Sequence, residues 1–150
     1  MNGGREPARG YGLALLARRD YSRQELVERL CRRGYSSAEA ADAAAELVAE
    51  RALSDERYAA ERVRGRAAQG VGPVRIMGEL RAKGVPAEII AAALAPEEGA
   101  WGERAAAARA KRFGAVIPED RRERARQARF LQGRGFRHED IIFAVDAPQD

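Results

Sequence analysis

RLCRRGY, residues 29–35, closes an Arg- and Leu-rich run with two cations, a glycine and an aromatic. ELRAKGV (79–85) and FLQGRGF (130–136) repeat the order: a leucine, three residues, a glycine, then an apolar residue, with a cation immediately before the glycine. The three sets are Leu30/Arg33/Gly34/Tyr35, Leu80/Lys83/Gly84/Val85 and Leu131/Arg134/Gly135/Phe136, and their glycines lie 50 and 51 positions apart. Glycine relieves the strain of a left-handed helix cap, and a cation in the preceding turn meets the negative end of the helix dipole. The heptapeptide is thus a helix stop used three times, and a period of this size signals an array of like supersecondary units.

Working outward from each stop gives the helices. Ser22 with Glu25, and Ser36 with Glu39, are capping boxes in which each side chain satisfies an orphan amide of the other residue. They open one helix that buries Leu26, Val27 and Leu30, and a second through Ala40, Ala44, Leu47 and Val48 to about Glu50. A short apolar helix over about 12–19 precedes them. Ser54, followed by two acids, begins a helix to about Ala68 with Tyr58, Ala59, Val63 and Ala67 on one face. Pro73 suits the first turn of the next, which carries Ile76, Met77 and Leu80, and Pro86 starts one through Ile89, Ile90 and Leu94. The third set runs from Trp101 to Phe113, with Ala105 and Ala108 on its buried face. A GAVIP break follows, then a helix from about Glu119 to Gln132 and one bearing Ile141, Ile142 and Val145. Gly65, Gly78 and Gly133 fall inside these helices, where each weakens helix propensity by up to about 1 kcal/mol and invites a kink or an early end.

The fold class expected is all-α, an elongated array of three tandem three-helix repeats. Residues 1–10 form a loose tail, 11–53, 54–96 and 97–146 the repeats, and 147–150 a second tail. No run alternates apolar and polar residues with β-branched character, so no strand is expected. Helices of about ten residues are marginal alone, so each triplet must pack as a small bundle.

With 27 basic against 23 acidic residues the chain carries a formal +4 charge, a balance that suits a polyanion or an acidic protein surface. The excess is local. Between 101 and 137, Arg104, Arg109, Lys111, Arg112, Arg121, Arg122, Arg124, Arg126, Arg129, Arg134 and Arg137 face only Glu103, Glu119, Asp120 and Glu123. Catalysis has little material: Cys31 is the only cysteine and His138 the only histidine, in different repeats, and GVGP lacks the lysine and the strand of a phosphate loop. Glu25 and Arg29, at helical spacing, read as a surface ion pair. GLALLA (12–17) is too short for a signal segment or a membrane span. A soluble, cytoplasmic monomer with no enzymatic role, no cofactor, no metal and no membrane contact is the expectation.

SRQELVERLCRRGY, LSDERYAAERVRGRAAQGVGPVRIMGELRAKGV and ARFLQGRGF, in that order and spacing over about residues 11–146, resemble the RecX family, bacterial regulators of the RecA recombinase. The central stretch is the most specific. The resemblance implies three tandem three-helix repeats that bind the RecA–DNA filament and restrain its ATPase, strand exchange and coprotease work, with weaker binding to single- and double-stranded DNA. A sequence-tolerant helical DNA-binding protein acting without RecA is the alternative. Arg75, Arg81, Lys83, Arg122, Arg126 and Arg134, basic residues on the exposed faces of the second and third repeats, are the candidate contacts with RecA or DNA.

Overall fold

A computed structural model describes residues 6–146. The described residues form nine α-helices and one short 3-10 turn, Ala95–Glu97, with no strand: α1 (Ala8–Arg18), α2 (Arg23–Arg33), α3 (Ser37–Ala49), α4 (Asp55–Ala68), α5 (Pro73–Ala82), α6 (Ala87–Leu94), α7 (Trp101–Phe113), α8 (Arg121–Gly133) and α9 (His138–Val145). The chain divides into two compact units, one of Met1–Ala59 with Leu80–Ile90, the other of Ala60–Glu79 with Ala91–Asp150. The middle triplet therefore contributes to both.

In the first unit both capping boxes form as the spacing requires: Ser22 Oγ accepts from the Glu25 N–H and Ser36 Oγ from the Glu39 N–H, each at 3.1 Å. Leu26, Leu30, Ala40, Ala44 and Leu47 are fully buried, with Val27 packed at the edge. The first helix begins at Ala8, not near residue 12, so Ala8–Gly10 belong to it and not to a loose tail. Tertiary contacts explain the difference. Ala8 is buried, the Arg9 guanidinium pairs with both oxygens of Glu50, and the Tyr35 hydroxyl donates to the Glu6 carbonyl. The remainder of that tail, 1–5, and the terminal 147–150 lie outside the described residues.

Gly34, Gly84 and Gly135 have φ of 114°, 76° and 94°, so all three stops are left-handed as their glycines demand. Two of them also make an approach that only glycine permits. In the first unit, a Cβ on Gly84 would lie 2.0 Å from Gln24 Oε1 in the first turn of α2. Beside it, the Ser22 hydroxyl donates to the Lys83 carbonyl at 2.7 Å. In the second unit the same meeting is made by backbone alone. The Gly72 N–H donates to the Arg134 carbonyl at 2.8 Å and the Val74 N–H to the Gly135 carbonyl at 2.9 Å. A Cβ on Gly72 would stand 2.4 Å from the Gly135 backbone, and one on Gly135 2.3 Å from Arg75 Cβ. Both of these glycine stops thus seat on the first turn of the second helix in the preceding triplet, and orphan carbonyls at one helix end are satisfied by donors at another.

Helices α4 and α5 run unbroken through Gly65 and Gly78, so neither glycine ends its helix early, and Gly133 is the last residue of α8. The third-triplet helix opens at Arg121, two residues after the expected start, because Asp120 is the N-cap and accepts from the Glu123 N–H. In the second unit α7 packs most extensively on α9, around Trp101, Ala105, Ile141, Ala144 and Val145, while Ala108 is only half-buried.

Candidate functional site

The six candidate cations fall into three groups. Arg81 and Arg122 are exposed, and among the described residues their side chains have no hydrogen bond or ion pair. Arg75 and Arg126 are exposed but compensated. Arg75 Nε lies 3.5 Å from Glu79, a carboxylate already held by two hydrogen bonds from Arg66 at 2.9 and 2.8 Å. Those bonds hold the Glu79 carboxyl below its usual range. Arg126 clasps Glu123 with two hydrogen bonds, of 2.9 and 2.7 Å, and its guanidinium lies 5.0 Å from the centroid of Phe113. The hydrogen bonds from Arg126, and then from Gln127, pull the Glu123 carboxyl down to about 2.

Lys83 and Arg134 are half-buried and joined to the scaffold. Lys83 Nζ lies 3.2 Å from Glu25, a carboxylate that also accepts from Arg19. Burial pushes the Glu25 carboxyl up, but the hydrogen bonds from Arg19 and Lys83 outweigh it and the group titrates below its ordinary value. Glu25 therefore spends its charge on Arg19 and Lys83 rather than on Arg29, because the helix-spacing argument does not see neighbours brought in by the fold. Arg134 donates to the Gln69 carbonyl at 2.6 Å and the Gly70 carbonyl at 3.1 Å, covering acceptors left open just past the end of α4. Arg81 and Lys83 belong to the first unit, and Arg75, Arg122, Arg126 and Arg134 to the second.

The charge concentrated in 101–137 thins when its partners are counted. Arg109 is buried, donating to Gln127 Oε1 at 3.1 Å and to the carbonyls of Ala115 and Val116, so it holds the loop after α7 rather than facing solvent. Arg104 pairs with Glu97 and Arg137 with Glu98, Glu139 and Asp140. Among the described residues Lys111, Arg112, Arg121, Arg122 and Arg129 have no carboxylate partner.

Lys111 and Arg112 are not among the six candidate cations, yet they border a cleft in the second unit. This cleft of about 480 Å³ is lined by Arg104, Lys111, Arg112, Arg134, Phe130 and small residues of α4 and α7. Their spacing holds the signal: 104, 107, 108 and 111 fall at i, i+3, i+4 and i+7, one face of a helix on which cations flank alanines. No group of three or more His, Cys, Asp or Glu suited to a metal exists among the described residues, and Cys31 is a free, exposed thiol. No described helix is long and apolar enough to cross a membrane.

Family models described as the first, second and third three-helix domains of RecX match residues 8–47, 54–94 and 103–145. Over 145 residues the chain is 42% identical to a regulatory protein RecX of Halorhodospira halophila, covering 97% of this chain and 90% of that one. Over 133 residues it is 43% identical to the one of Chromohalobacter salexigens, covering 89% and 87%. Among solved structures, a RecX from Lactobacillus salivarius superposes with a TM-score of 0.81 at 19% identity, covering 93% of this chain and 92% of that one. A second, described as a regulatory protein RecX, gives 0.79 at 23%, covering 94% and 72%. The solved structures share the fold, and with three matched domains and relatives above 40% identity over most of its length, the chain belongs to the RecX family of regulatory proteins.

Proposed function

We propose that this chain is a non-enzymatic regulator that binds the RecA–DNA filament and restrains RecA's ATPase, strand exchange and coprotease activities, and that it binds free DNA more weakly. Family membership supports the RecA side of this reading, since the relatives are named regulatory proteins. The observation that carries the contact side is the uncompensated charge of Arg81 and Arg122, exposed guanidinium groups with no carboxylate to neutralise them. Arg75 and Arg126 add cations whose ion pairs are exposed and weak enough to yield to a phosphate. Lys83 and Arg134 contribute charge while holding the glycine stops in place. Three linked helical domains gain avidity on a repeating polymer, because each contact raises the effective concentration of the next.

Tighter binding to RecA–single-stranded DNA filaments than to the same DNA alone is expected at near-physiological salt. DNA-dependent ATP hydrolysis by RecA should fall at less than one regulator per RecA. Anisotropy with labelled oligonucleotide and a coupled ATPase assay check both. Equal affinity for naked DNA and filament, with hydrolysis untouched, would instead favour a helical DNA-binding protein that acts without RecA.

The charge-reversal pair Arg122→Glu/Arg126→Glu should weaken DNA or filament binding at low salt. It should also flatten the plot of log affinity against log salt by about 0.7 for each single-strand phosphate that is no longer neutralised. Parent and variant must melt alike for the comparison to count. A variant with the parental slope removes both residues from the interface.

A further inference from the structure

The cleft between α4, α7 and α8 in the second unit has a composition that the scaffold does not explain. Four cations line it, Arg104, Lys111, Arg112 and Arg134, and no carboxylate does. Two of them have work elsewhere: Arg134 caps the carbonyls of Gln69 and Gly70, and one nitrogen of Arg104 pairs with Glu97. The side chains of Lys111 and Arg112 have no hydrogen bond or ion pair among the described residues, and Arg104 Nε is buried without a hydrogen-bond partner. With Glu97 the one carboxylate among the described residues paired to any of the four, the like charges repel one another, and an anion in the cleft would relieve that repulsion.

The floor narrows the kind of anion. Between the cations α7 presents Ala107 and Ala108, side chains too short to fill the space, and Phe130 of α8 closes one wall. That ring meets Phe113 edge-on with centroids 5.3 Å apart, and the Arg112 guanidinium lies 5.7 Å from its centroid. An apolar floor with an aromatic and a guanidinium plane at its side takes a flat ring, and the surrounding cations take the charge beside it. At about 480 Å³ the cleft has the size of a small-ligand site.

We propose that this cleft holds one nucleotide of a single-stranded nucleic acid, its phosphate among Lys111, Arg112 and Arg104 and its base over the alanine floor beside Phe130. Duplex DNA keeps its base faces stacked inside and offers phosphates and base edges only, so the pocket selects single strands by the ring it can receive. An acidic peptide would satisfy the cations but leave the apolar floor uncovered. The proposal rests on the reading that the protein meets the DNA of the filament, and locates one such contact in the second unit.

The test uses the full chain and a short oligothymidylate carrying one 5-iododeoxyuridine. Irradiation should crosslink the halogenated base to the peptide containing Phe130. Phe130→Leu, which keeps the side chain apolar and of similar bulk, should weaken oligothymidylate binding by about tenfold, the loss of one stacked base. Lys111→Gln, at an exposed position where folding is not at stake, should weaken it several-fold and lower the salt slope by about 0.7. Ala107→Leu, which fills the floor without touching charge, should also weaken the single strand while leaving duplex affinity unchanged. Crosslinks confined to other peptides, parental affinity in all three variants, or equal competition by polyglutamate would overturn the proposal, the last in favour of an acidic protein partner. RecA ATPase read on the same proteins separates the two ideas. Parental binding of single strands by the variants with hydrolysis still suppressed sinks the pocket alone, and a working pocket with hydrolysis unaffected sinks the regulatory reading alone.

Discussion

Gly72→Ala is expected to destabilise the second unit by about 3–5 kcal/mol, roughly a 10–20 °C fall in its melting temperature. The added methyl would stand 2.4 Å from the carbonyl carbon and oxygen of Gly135 and from the Phe136 nitrogen. All three are main-chain atoms, which cannot swing aside as a flexible side chain would. The two segments must part, and the hydrogen bonds from Gly72 N–H to Arg134 and from Val74 N–H to Gly135 go with them. Forced overpacking costs about 1–3 kcal/mol and each broken hydrogen bond about 1 more. Gly78→Ala supplies the control, inside the helix that Gly72 precedes. Nothing lies within 4 Å of a Cβ built there, so the gain in helix propensity should raise stability by up to about 1 kcal/mol. One substitution type thus has opposite signs six residues apart. Thermal melts of the two variants decide it, and a Gly72→Ala protein as stable as the parent would mean that the main chains do not meet there.

Ser22→Ala should cost about 2–4 kcal/mol, well beyond the loss of an ordinary helix cap. The Ser22 hydroxyl is fully buried and makes two hydrogen bonds: it accepts from the Glu25 N–H and donates to the Lys83 carbonyl. Removing it abolishes the cap, worth about 1 kcal/mol, and leaves a carbonyl past the end of α5 without its donor, about 1–3 kcal/mol more. Ser36 provides the comparison, since it accepts from the Glu39 N–H in the same geometry but is exposed. Ser36→Ala should therefore lose only the cap. Chemical denaturation of the two alanine variants would measure the difference, and equal losses would show that the bond to Lys83 contributes nothing.

Local signals carried most of the architecture. Both capping boxes, the three glycine stops and the helix periodicity of Leu26/Leu30, Ile76/Leu80 and Tyr58/Val63 are statements about one helix at a time, and such statements survive folding. What the sequence concealed is tertiary. Lys83 and Arg134 read as surface cations because the residue before a helix-ending glycine is usually solvated, and nothing in their own helices reveals Glu25 or the carbonyls of Gln69 and Gly70 as partners. Arg109 is hidden for the same reason: its acceptors are carbonyls of a loop whose course no periodicity predicts. The start of α1 at Ala8 depends on Glu50 and Tyr35, far along the chain. The cations at 104 and 111 around Ala107 and Ala108 were visible at helical spacing, but only the cleft gives that face a meaning.

The seating of a glycine stop on an earlier first turn bears on how such a chain could have been copied. Ser22 and Lys83 are 61 residues apart, and Gly72 and Arg134 62, so the two halves of the joint recur at nearly the same interval. A duplicated triplet would carry both halves, the turn that inserts and the first turn that receives, and its ancestor need invent no new surface. The receiving position has since diverged: Ser22 donates from a hydroxyl, whereas Gly72 donates from its main chain and leaves room by having no side chain. Asp120, the N-cap of α8, stands at the corresponding place in the third triplet with a side chain turned to its own helix, since its carboxylate accepts from the Glu123 N–H.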